Sequence, residues 1–126
     1  MDAAQALGEL TGLSSQITAA VALGGDGAVL AGSPEHASES LASSALELVR
    51  AAAELGSDGT HPTRVEVELD DGAMFVVREG DVTVAATTGP SPTSGLVVYD
   101  LRTCAQAIAA PAPKKRRSRK PKEEDA

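Results

Sequence analysis

Cys104 is the only cysteine in a chain of 126 residues, and its thiol is the strongest nucleophile the sequence offers. A thiol does chemistry as the thiolate, with a base or a cation beside it, and neither histidine, His36 or His61, neighbours it in sequence. It falls instead on the apolar stripe of a helical repeat, where a free cysteine behaves as a small hydrophobe. The two histidines lack metal-ligand spacing and read as surface residues. Glu66, Glu68, Asp70 and Asp71 could attract a cation, yet carboxylates at alternate strand positions form a solvated face. Gly24-Gly25-Asp26-Gly27 is followed by a strand pattern and by no Lys-Ser or Lys-Thr, so it is a turn and not a phosphate cradle. The stretch from Gly89 to Gly95 opens onto a helix but also lacks the phosphate-binding lysine. No residue is therefore assigned a catalytic, metal-binding or cofactor-binding role, no cofactor or small-molecule substrate is expected, and the chain reads as a non-enzyme.

The remaining candidate chemistry is electrostatic. Residues 1–113 carry fifteen acids against four bases, a charge of −11, whereas residues 114–126 carry seven bases against three acids, a charge of +4. Lys114, Lys115, Arg116, Arg117, Arg119, Lys120 and Lys122 could bind nucleic acid or anionic lipid by counterion release and Coulomb attraction. No aromatic residue interleaves with them, which disfavours stacking on single-stranded bases. The segment has no apolar residue able to offset the entropy of ordering, so residues 111–126 are expected to form a disordered basic tail on a domain spanning 1–110.

The elements that must position any site follow from periodicity. Ala3, Ala6, Leu7, Leu10 and Leu13 repeat at three and four residues, the stripe of an amphipathic helix. In the following strand Ile17, Ala19, Val21 and Leu23 fall on one face and Thr18, Ala20 and Ala22 on the other, nearly free of charge, as in a strand covered on both sides. The Gly-rich turn and Ala28-Val29-Leu30-Ala31 complete a hairpin. Ser33 and Pro34 then have the types of an N-cap and a first helical residue, opening a helix over 35–55. At about 100° per residue its apolar arc covers about half the circumference, more than one sheet requires. The surplus flank formed by Ala42, Leu46, Val49 and Ala53 calls for a second contact, read here as a partner subunit.

Arg64 to Asp70 alternates strictly, with Val65, Val67 and Leu69 inward and Glu66, Glu68 and Asp70 outward. Two further strands, 73–78 and 82–87, follow across short turns as a meander. A helix from about Leu96 to Ala109 places Val97, Leu101, Cys104, Ala105 and Ile108 on one face. Hydrophobic residues make up 42% of the chain but only Phe75 and Tyr99 are aromatic, too few to wall a roomy ligand cavity. One cysteine suits a reducing compartment, and neither a secretory signal nor a membrane span is evident, so a soluble cytoplasmic protein is expected.

Helix, hairpin, long helix, three-stranded meander and helix resembles the order of the Roadblock (dynein light chain type) family, whose bacterial members often regulate Ras-like small GTPases. The likeness spans about residues 2–110 and is strongest over Ala20-Val21-Ala22-Leu23-Gly24-Gly25-Asp26-Gly27-Ala28-Val29-Leu30-Ala31, the Ala-rich helix running to Leu55-Gly56, and Gly95-Leu96-Val97-Val98-Tyr99-Asp100-Leu101-Arg102. It implies an α/β fold, an αββαβββα three-layer sandwich of Roadblock/profilin-like type. Its five-stranded antiparallel sheet would carry the long helix on one face and the two terminal helices on the other. It further implies a homodimer joined through the long helix and the third strand, which adds Val65, Glu66, Val67 and Glu68 to the interface, and a Ras-like small GTPase as partner. The alternative is a nucleic-acid-associated or anionic-membrane-associated protein that binds through its basic tail.

Overall fold

The computed structural model describes residues 1–109. In chain order it forms α1 (Ala3–Leu13), β1 (Ile17–Leu23), β2 (Val29–Ser33), α2 (Ser38–Ala53), β3 (Arg64–Leu69), β4 (Gly72–Glu79), β5 (Val82–Thr88) and α3 (Ser94–Ala109). The strands make one antiparallel sheet in the order β2-β1-β5-β4-β3, so β2 and β3 form its two borders. The expected three-layer α/β architecture is therefore the one observed.

Alternation along the inner strands feeds two cores at once. On one face Ala20, Ala22, Phe75, Val77, Val84 and Ala86 meet Ala6, Leu7 and Leu10 of α1 and Val97 and Leu101 of α3. On the other, Val21, Leu23, Val76 and Ala85 meet Leu41, Ala42 and Ala45 of α2. Small side chains on the strands let the helices seat close to the sheet, which is how a chain with two aromatics still excludes water from both faces.

Local chemistry sets the element ends. The Asp2 carboxylate accepts from the Gln5 amide at 2.8 Å and caps α1. At the β1–β2 turn Gly27 has φ +84°, Gly27 N–H donates to the Gly24 carbonyl, and Ala28 N–H donates to Asp26 Oδ1 at 3.0 Å. Asp and Gly are the residue types that tolerate this backbone.

Several expectations are corrected. Ile17 does not share a face with Val21 and Leu23: it packs against the α1/α3 core, because the β1–β5 register shifts between Ile17 and Ala19 and an odd step turns a side chain to the other face. A second irregularity lies between Ala22 and Leu23 in the β1–β2 pairing. The helix expected from residue 35 begins later: Ser33 ends β2, Pro34 is extended, Glu35–Ala37 form a 3-10 turn, and α2 starts at Ser38 without a side-chain cap. It also stops at Ala53, which leaves Leu55 in solvent. Leu13, at the last position of α1, is 85% exposed and outside the core stripe.

The seat of α2 on β2 depends on Gly32. A Cβ there would stand 2.6 Å from the Ser38 Cβ and closer still to its hydroxyl, which is buried without a hydrogen-bond partner. Gly32→Ala should destabilise the fold by about 1–3 kcal/mol through overpacking, measured as a lower urea midpoint at unchanged slope.

Candidate protein-interaction surfaces

The residues assigned to a subunit interface fall into two groups. In β3 they are ordered by the pleat: Val65, opposite Val76 in the ladder, packs against the core on the α2 face, and Val65 and Val67 are half-buried. Glu66 and Glu68 are exposed and point to the face carrying α1 and α3, where Glu66 Oε2 accepts from Ser94 Oγ at 2.8 Å. The outer side of β3 has no strand partner among the described residues. On α2, Ala42 is buried by the chain's own core, Val49 and Ala53 are half-buried, and Leu46 is 37% exposed. Val49 and Val65 belong to one cluster, whereas the Leu46 methyls lie 3.6–3.7 Å from the Cβ position of Gly27, at the β1–β2 turn. The structure thus joins β3 to Val49 and sets Leu46 elsewhere. Periodicity reveals the width of the apolar arc, but which part the sheet uses depends on where the helix seats.

The other candidate groups have structural surroundings. His36 is exposed in the 3-10 turn and His61 in the α2–β3 loop, and among the described residues no three His, Cys, Asp or Glu side chains are grouped to hold a metal. Near the start of α3, Thr93 N–H donates to Gln16 Oε1 at 2.6 Å, so that amide is already partnered. Arg102 Nε and Glu79 Oε2 form an ion pair at 3.3 Å. Lys114, Lys115, Arg116, Arg117, Arg119, Lys120 and Lys122 lie outside the described residues. No helix among the described residues is long and apolar enough to cross a membrane.

One surface was not foreseen from the sequence. Between α1 and α3 runs a groove of about 200 Å³ whose apolar walls include Met1, Leu10, Leu13, Tyr99, Cys104 and Ala107, with Glu9 and Asp100 also lining it. Tyr99 is 67% exposed there. The available signal was an aromatic residue off the buried stripe of its helix, together with a leucine at the end of the neighbouring one.

This arrangement of sheet and helices is the Roadblock-type fold. Among solved structures the chain is similar to a Roadblock/LC7 domain from Streptomyces avermitilis, at 24% identity and TM-score 0.67 over 86% of this chain and 95% of that one. It is similar to the gliding protein MglB from Thermus thermophilus, at 15% identity and TM-score 0.61 over 85% of each chain. A structure of MglB with a tetrameric arrangement matches at 17% identity and TM-score 0.62, again over 85% of each chain. No protein-family model and no curated protein matches the sequence. At these identities the likeness is one of fold.

Cys104 supplies a measurable property of the groove. Burial pushes its thiol up from 9.0 to about 11, with the negative charge of Glu9 adding to the shift. The folded chain therefore holds this proton more tightly than the unfolded chain does. The resulting stabilisation is complete below pH 9 and is lost as pH rises through about 11. Unfolding free energy should fall more steeply between pH 9 and 11 in the natural chain than in Cys104→Ala. At pH 8 the native thiol should react with iodoacetamide at least about tenfold more slowly than the thiol of the urea-unfolded chain.

Proposed function

We propose that the chain is a non-enzymatic homodimeric adaptor that regulates a Ras-like small GTPase. The observation that carries the reading is the open β3 border with half-buried Val65 and Val67 beside Val49 of α2. Such a border gains hydrogen bonds and apolar contact when a second copy adds to it. The GTPase as partner rests on the family resemblance, supported by the shared fold with MglB. In this reading Ala42, Leu46, Val49 and Ala53 lie on the helix nearest the seam, and Glu66 and Glu68 flank it on the opposite face.

Charge selects a register for the joined strands. An antiparallel pair related by a two-fold axis normal to the sheet places one residue opposite its own copy. An axis at Glu66 opposes Glu66 to Glu66 of the partner subunit, and an axis at Val67 opposes Glu66 to Glu68 of the partner subunit. Both arrangements set like charges face to face. An axis at Val65 instead opposes Arg64 to Glu66 of the partner subunit, twice by symmetry, and is the register favoured here.

Light scattering of the full chain should give twice the chain mass. Arg64→Glu should weaken dimerisation by roughly tenfold, since each of two pairs contributes ~0.2–1 kcal/mol and becomes repulsive. Arg64→Glu combined with Glu66→Arg should restore it. A monomer in the natural chain would overturn the dimer. Pull-down and nucleotide-turnover assays with Ras-like GTPases from the same cell test the partner: binding with a changed rate supports the reading, and no binding across them removes it.

A further inference from the structure

We propose that the groove between α1 and α3 is the docking site of the chain's own basic segment, with Pro111-Ala112-Pro113 along its apolar walls and Lys114 to Arg116 facing Glu9 and Asp100.

The position of the groove argues for this occupant. The Met1 amino group donates to the Ala107 carbonyl at 3.5 Å, so the start of α1 lies beside the end of α3. Met1 and Ala107 therefore mark one end of the groove and Leu13 and Tyr99 the other. The described chain ends at Ala109, two residues beyond Ala107, and residues 110–126 begin where the groove begins. From Ala107 back to Tyr99 is about 12 Å of helix at 1.5 Å per residue, which about four residues of polyproline-type chain span. A segment that reverses after Ala109 thus brings its first lysines alongside Asp100 and Glu9.

The chemistry of the walls argues for it as well. Two α-helices offer no open row of backbone donors or acceptors, so a strand would lie on them with its own amides unpaired. Prolines have no amide hydrogen to satisfy, and an exposed tyrosine ring is a surface on which proline-rich chains pack. Glu9 and Asp100 have no basic partner among the described residues, where the one ion pair is Arg102 with Glu79. The bases from Lys114 onward are the charges that complement them.

The groove lies on the sheet face opposite α2 and away from the β3 border, so this inference goes beyond the proposed function and stands without it. Tyr99 is the only tyrosine and the chain has no tryptophan, so its fluorescence reports the groove directly. Acrylamide quenching of the full natural chain in low salt should be about twofold weaker than that of the full chain carrying Lys114→Glu, Lys115→Glu and Arg116→Glu, and about 0.5 M NaCl should erase the difference by screening. Glu9→Lys with Asp100→Lys should expose Tyr99 equally, and combining these with the charge-reversed segment should restore its protection. Circular dichroism establishes that each variant is folded, and Arg64→Glu should leave the quenching unchanged. Equal quenching of the natural and charge-reversed chains overturns the proposal. So does protection that is lost on dilution, because the segment of another copy, and not the chain's own, would then fill the groove.

Discussion

Every inner strand of this sheet has to be buried on both faces at once, and the chain meets that demand mostly with alanine and valine. Val21, Val77, Val84, Ala85 and Ala86 are fully enclosed, and Phe75 is the only large ring in either core. Thin side chains bring the helices close, and close seating is what makes the exclusion of water complete. It also leaves little tolerance: where α2 meets β2 there is room for no side chain at all at residue 32. The placement of α2, and with it the faces left for other molecules, follows from this packing.

The two faces divide the work. The α2 side holds a smaller core and leaves Val49, Val65 and Met74 only partly covered, next to a border strand whose outer side has no strand partner among the described residues. The α1/α3 side holds the larger core and closes over Phe75, yet the two helices meet imperfectly along their outer ridge, leaving a trough floored by Leu10 and Cys104. Each face therefore keeps an apolar opening. They are separated by the full thickness of the sheet, so occupation of one need not disturb the other.

Much of this was legible in the residues. Alternation marked β3 and its acidic face, although Leu69, expected inward with Val65 and Val67, is 63% exposed at the end of the strand, and the Asp26-Gly27 turn marked the hairpin, because these are determined by neighbours in sequence. Features determined by distant neighbours were not legible. The face of Ile17 depends on its pairing with Thr88, at the end of β5, the middle strand of the sheet. Ser33 and Pro34 have the types of a helix start, but Ser33 is retained by its ladder to Ala20 and the helix waits for Ser38. Ala42 stood on the surplus flank of the helical wheel until the sheet used it. The groove exists only because α1 and α3 run side by side, which no local pattern in either helix encodes.

The irregular pairing between Ala22 and Leu23 has a bearing on growth. An offset of this kind bends the outer strand and interrupts the even row of peptide groups that a foreign strand would need as a template. The sheet thus has one regular margin and one broken margin. Strand addition is therefore favoured at the β3 margin, and a filament, which needs a template at both margins, is disfavoured.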